Sequence, residues 1–217
     1  MDFDSMMVHM DWKTLPRRIV QLYIGLLLYG LAGALQVRAG LGLDPWDVLH
    51  QGIARRAHLG IGTIVIIVGA VVLLGWIPLR QRPGLGTVSN VVLVGVSMNL
   101  SLLWLPHLQV LAGRIAYLLG GIVLCGIATG MYIGANFGPG PRDGLMTGLA
   151  RRTGRSIRLV RTGLEVTVLL TGWLLGGSVG IGTVLFAVVI GPLTQVFLPL
   201  FAVQPVSRPR RQLAPAT

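Results

Sequence analysis

Long apolar runs alternate with short polar or glycine-rich stretches along this chain. Six runs stand out, at residues 20–37, 61–79, 85–105, 115–135, 157–175 and 181–201, each 18 to 21 residues long. At about 1.5 Å per helical residue, such a run reaches across the ~30 Å hydrocarbon core of a bilayer. The pattern predicts six membrane-spanning helices. A shorter element falls between the first and second runs. Within residues 41–60, Trp46, Leu49, Ile53 and Ala57 recur at helical spacing. Asp44 suits an N-cap, Pro45 the first helical position and Asp47 the third, with Arg55 and Arg56 in the last turn and Gly60 as the stop. A helix of roughly 13 residues is about 20 Å long and cannot span. It lies at the interface or enters partway as a re-entrant half-helix.

The same short element returns between the fourth and fifth runs. Residues 42–56 and 138–152 agree at eight of fifteen positions, among them Gly42/Gly138, Pro45/Pro141, Asp47/Asp143, Arg55/Arg151 and Arg56/Arg152. The offset is constant, 143 − 47 = 96, and it also relates Gly84-Leu85-Gly86-Thr87 to Gly180-Ile181-Gly182-Thr183 and Gly95 to Gly191. The chain is an internal duplication. Three spans per unit is an odd number, so the second unit enters the membrane the other way up. The expected fold is all-α: two inverted three-helix repeats, at 17–106 and 107–203, each with a short helix after its first span. An N-terminal cytoplasmic segment at 1–16 and a basic, disordered tail at 204–217 flank them.

Composition supports a membrane setting. Apolar residues make up 53% and charged residues only 12%, about half the charge a soluble surface carries. The net charge of +11 does not indicate nucleic acid, because the basic residues sit in loops between apolar runs. Fourteen Lys and Arg fall on the side of both termini, against Arg38, Arg55, Arg56 and Arg114 on the other. The positive-inside rule puts both termini in the cytoplasm. The single Cys125 lies within an apolar run and forms no internal disulfide. Trp46, Trp76, Trp104 and Trp173 fall near span ends, as in an aromatic belt, and His50, His58 and His107 are expected at the interface without metal spacing.

The candidate chemistry centres on the short helices. Half-helix N-termini present free N–H groups and partial positive charge to the membrane interior. Asp47 and Asp143 there are candidate substrate, proton or cation sites. As third-position carboxylates they also stabilise their helices by a few tenths to about 1 kcal/mol, so capping remains open for both. Asn99 and Gln195 are a second matched pair, each four residues after a matched glycine, and either line a cavity or hydrogen-bond between helices. Glu165, inside a span, is a site candidate or the partner of Arg161 one turn earlier. Arg55, Arg56, Arg151 and Arg152 read as helix-end anchors. Pro192 is expected to bend or interrupt the last span.

With G-x-x-P-x-D opening each half, G-[IL]-A-R-R following it and G-[LI]-G-T later, the chain resembles the YczE/YitT-like family of bacterial integral membrane proteins over roughly residues 18–201. The resemblance implies a multi-pass protein of the bacterial plasma membrane, and some members look like accessories to neighbouring biosynthetic enzymes.

No Ser-His-Asp set, H-E-x-x-H or Walker loop is present, so an enzyme is not expected and no cofactor is implied. An intramembrane aspartate enzyme would need Asp47 and Asp143 within about 4–5 Å of each other. Inverted repeats with matched short helices are a plan of secondary transporters. The leading expectation is a permease for a small solute, an anion included; the alternative is a membrane scaffold for a partner enzyme or regulator. The expected partners are the lipid bilayer, a small-molecule solute and a second copy in a homodimer, and not nucleic acid.

Overall fold

A computed structural model describes residues 14–203; the segment before it and the tail from 204 onward, expected to be disordered, lie outside the described residues. Among the described residues there are eight helices and no strand: α1 Leu15–Ala39, α2 Pro45–Ala57, α3 Ile61–Trp76, α4 Leu85–Trp104, α5 Leu111–Gly134, α6 Pro141–Thr153, α7 Ile157–Leu174 and α8 Ile181–Phe201. The first residues of α1 to α4 return in α5 to α8 at the offset of 96 found in the sequence (111 − 15, 141 − 45, 157 − 61, 181 − 85).

Four helices, α1, α4, α5 and α8, are long and apolar enough to cross a membrane, and a fifth span arises if α2 and α3, bent by 113° at their junction, count as one. The six equal runs of the sequence therefore differ in the fold. α3 has only 16 residues. α7 has 18, but its first half carries Arg158, Arg161 and Glu165. α8 runs unbroken through Pro192 and Pro199, so of the bend or interruption expected at Pro192 the interruption does not occur. The missing proline N–H costs one backbone bond, which a helix embedded among others tolerates.

α1 and α5 form the centre and run antiparallel. Near the start of α1, Arg18 Nε donates to the Ala135 carbonyl at 3.0 Å, just past the end of α5. At the other end, Arg114 Nε donates to the Ala39 carbonyl at 2.7 Å. These two bonds are counterparts under the 96-residue offset. Both arginines cover carbonyls that a helix end leaves unpaired. A second counterpart pair ties the helix starts to distant loops: Gly86 N–H donates to the Phe137 carbonyl at 2.9 Å and Gly182 N–H to the Leu41 carbonyl at 2.8 Å.

α1 also packs on α4, as α5 does on α8. The short helices cross over: α2 packs on α7, and α6 on α3. Leu22, Leu26, Ile64, Val94 and Met98 form the buried core where α1, α3 and α4 meet. Val71, Leu103, Val188 and other large apolar residues remain exposed on the outside, the surface a bilayer covers.

Candidate functional site

Each short helix starts from a glycine that no other residue replaces easily. Gly42 and Gly138 hold φ of 110° and 112°, a region that favours glycine, and so turn the chain sharply after α1 and α5. In α2, Asp44 then caps the helix. Its Oδ1 accepts from the backbone N–H groups of Trp46 and Asp47 at 2.9 and 3.1 Å. In α6 the counterpart of Asp44 is Gly140, and no side chain caps that end. α2 ends at Ala57 with His58 as its left-handed cap, whereas Gly60, expected as the stop, begins α3 instead.

The two N-termini meet inside the bundle. Arg142, second residue of α6, reaches across to α2: its guanidinium lies 3.4 Å from Asp44 Oδ1 and 3.6 Å from Asp47 Oδ1. The same guanidinium stacks over the Trp46 ring at 5.1 Å from its centroid. Arg142 and Trp46 are themselves counterparts (142 − 46 = 96). Asp47 also accepts from His50 Nδ1 at 2.9 Å. Asp44, Asp47 and His50 are all buried, with 4%, 4% and 2% of their surface exposed.

Against this junction lies a cavity of about 340 Å³, lined from every helix. Polar groups at its wall include Asp44, Arg142, Asp143, Arg161, Glu165 and Gln195, and Val65, Val94 and Ile190 add apolar surface. That volume falls in the range of small-molecule sites. Tyr132 Oη donates to Asp143 Oδ2 at 3.0 Å, and the Tyr29 and Tyr132 rings meet edge to face at 6.0 Å.

Of the residues singled out in the sequence, Asp143, Glu165 and Gln195 reach this cavity, and Asp47 lies just behind its wall through Arg142. The two aspartates have separate partners, Arg142 and His50 for one and Tyr132 for the other. Glu165 accepts from Arg161 Nε at 2.8 Å. Asn99 sits elsewhere: its Oδ1 accepts from Gly62 N–H at 2.9 Å and its Nδ2 donates to Thr63 Oγ1 at 3.1 Å, clasping α4 to α3. The pair Asn99 and Gln195 is thus not brought to one place. Arg55 and Arg56 cover carbonyls at the end of α7, those of Gly176 and Leu175, and Arg152 covers the Pro78 carbonyl beyond α3. Arg151 is exposed.

Arg142, Asp44 and His50 were not expected here. The only sequence signal was the concentration of charge at the start of each short helix. The tryptophans divide: Trp104 and Trp173 are exposed, as a belt requires, but Trp46 and Trp76 are buried. Trp76 Nε1 donates to the Pro141 carbonyl at 3.1 Å and its ring lies on Gly144, so it fixes the start of α6 rather than the membrane interface.

These features define a multi-pass helical membrane protein whose two short helices meet at a polar cavity. A model described as a family of unknown function (DUF6198) matches residues 16–199. The chain is 36% identical over 176 residues to an "uncharacterized membrane protein YczE" of Bacillus subtilis, covering 80% of this chain and 81% of that one. It is 41% identical over 191 residues to an "uncharacterized protein" of Haemophilus influenzae, 88% of each. Similarity to the "uncharacterized protein YyaS" of Bacillus subtilis is 28% over 192 residues, 87% of this chain and 96% of that one. The chain belongs to the YczE-like family. No solved structure matches it at a significant level.

Proposed function

We propose that the protein is a secondary permease for a small solute, built from two inverted repeats of three spans each and working by alternating access in the bacterial plasma membrane. The observation that carries this reading is the junction of the two short helices. Their N-termini converge beside a solute-sized cavity, and the counterpart residues Trp46 and Arg142 touch there. A residue that meets its own counterpart marks a two-fold axis. Antiparallel packing of α1 against α5 supports an axis lying in the membrane plane. Inverted repeats with midplane sites at short-helix N-termini are a recurrent transporter plan.

Arg161 and Glu165 lie in the first half of α7, close to exposed Arg151, Arg155 and Arg158. With those arginines cytoplasmic under the positive-inside rule, the cavity faces the cytoplasm between α7 and α8, and the α3–α4 contact closes the opposite side. Reconstituted protein is expected to move a solute across liposomes, and Asp143→Asn to stop that movement while the folded protein persists. Equal uptake by the variant removes Asp143 from the site.

A second reading rests on the same exposed arginines at the α6–α7 end, which form a basic face suited to an acidic partner. As a scaffold, the protein would retain its partner in Asp143→Asn and lose it when Arg151 and Arg155 are neutralised. Co-purification of the pair from membranes separates the two readings.

A further inference from the structure

The charges around the cavity are not evenly matched. Asp44 and Asp47 share the Arg142 guanidinium, and Asp47 has His50 besides. Glu165 is paired with Arg161. Asp143 differs. Among the described residues no Arg, Lys or His nitrogen lies within the 4.0 Å of an ion pair, and its hydrogen-bond partner is the neutral Tyr132 hydroxyl. The positive end of α6, where Asp143 is the third residue, offsets about half a charge. The remainder faces a cavity. Both arginines that could receive an anion are already held by carboxylates, so an anionic solute would meet Asp143 with no cation to answer it.

A second observation is independent of this charge. Tyr29 and Tyr132 both line the cavity, their rings edge to face at 6.0 Å, and aromatic rings attract a cation. Among the described residues no three His, Cys, Asp or Glu side chains come together to hold a metal ion, and Val65, Val94, Ile190, Tyr29 and Tyr132 give the cavity apolar and aromatic walls. Such walls suit the carbon skeleton of an organic cation.

We infer that this cavity takes a small organic ammonium ion, its nitrogen on Asp143 and Tyr132 and its carbon skeleton against the apolar and aromatic walls. This rests on the cavity being the solute site, and it names the class of solute.

The test measures binding to the full-length, detergent-solubilised protein by thermal shift, with ethanolamine and choline as cationic probes and glycolate as the anionic counterpart. Ethanolamine is expected to raise the melting temperature in a saturable way, and glycolate to leave it unchanged. Asp143→Asn should weaken the ethanolamine response at least about tenfold, and Tyr132→Phe by a smaller factor, each judged against its own ligand-free baseline. Stabilisation by glycolate, or no response to either cation, overturns the inference. So does an undiminished ethanolamine response in folded Asp143→Asn. Should that variant not fold, competition of ethanolamine against glycolate on the unaltered protein decides. Because binding is read without a membrane gradient, ammonium binding without flux in liposomes would reject the permease and keep this site. Flux of an anion without ammonium binding would do the reverse.

Discussion

The two halves share a plan and differ at one seam. In the first half α3 and α4 lie against each other so closely that a methyl group on Gly95 would collide with the Gly62 carbonyl, and one on Gly62 with that of Gly95. Asn99 then clasps the seam through Gly62 and Thr63. In the second half the counterpart helices, α7 and α8, do not pack along their lengths. Gly191, the counterpart of Gly95, has nothing near a would-be side chain, and Gln195, the counterpart of Asn99, lines the cavity. Counterpart positions at offset 96 are thus sealed in one half and open in the other. The cause is visible in the residues. Gly62 corresponds to Arg158, and Gly69 to Glu165, so α7 carries charged side chains where α3 carries glycines. A glycine lets two backbones touch; a long charged side chain such as Arg158 or Glu165 holds them apart.

The largest expected effect lies where the halves join. Arg142→Ala would leave Asp44 and Asp47 buried beside His50 without their guanidinium, a loss of about 3–5 kcal/mol in detergent–SDS unfolding. Restoring most of that stability by adding Asp47→Asn would trace the loss to the stranded carboxylates. If Arg142→Ala were as stable as the parent, the junction would not be what holds the two halves together.

Next in size is the glycine pair. Gly95→Leu should destabilise the protein by about 1–3 kcal/mol, because the α3–α4 seam must part to admit it. Gly191→Leu should change stability by less than about 0.5 kcal/mol, since its side chain enters open space. Under alternating access the same variant should nonetheless arrest flux, because α7 and α8 could no longer close on Gly191. Equal destabilisation of the two variants would erase the contrast between the halves.

The polar counterparts give a smaller difference. Asn99→Leu removes two hydrogen bonds and is expected to cost about 1–2 kcal/mol, and Gln195→Leu close to nothing by the same unfolding measurement. Smallest is Arg161→Ala. Its pair with Glu165 is part-exposed, with 53% and 32% of the two side chains accessible, so about 0.5 kcal/mol or less is at stake, and less still at high salt.

The helices and their order were legible because membrane helices must satisfy their own backbone and advertise themselves as apolar runs, though only four of the six runs, or five with the bent pair, are long and apolar enough to cross. The duplication made every element start readable twice. What failed was specific to packing. Trp46 and Trp76 were expected at the interface because tryptophans near span ends usually lie there, but these two are short-helix neighbours, and the crossover of α2 and α6 buries them. His50 was missed for the same reason. Arg18 and Arg114 looked like loop charges; only their counterpart bonds to Ala135 and Ala39 make them helix-end caps. Arg55 and Arg56, which the sequence expectation puts on the outer side, cover the bare carbonyls just past the end of α7.

By itself the sequence determined the elements, their order and their pairing at an offset of 96, since hydrophobic length, proline and glycine act within a few residues of chain. The tertiary structure alone decided which counterparts would differ. Asn99 became a clasp and Gln195 a cavity wall, and Asp47 found Arg142 while Asp143 found only Tyr132. Those outcomes depend on helices brought together from opposite ends of the chain, where charge and close packing, rather than local pattern, set the partners.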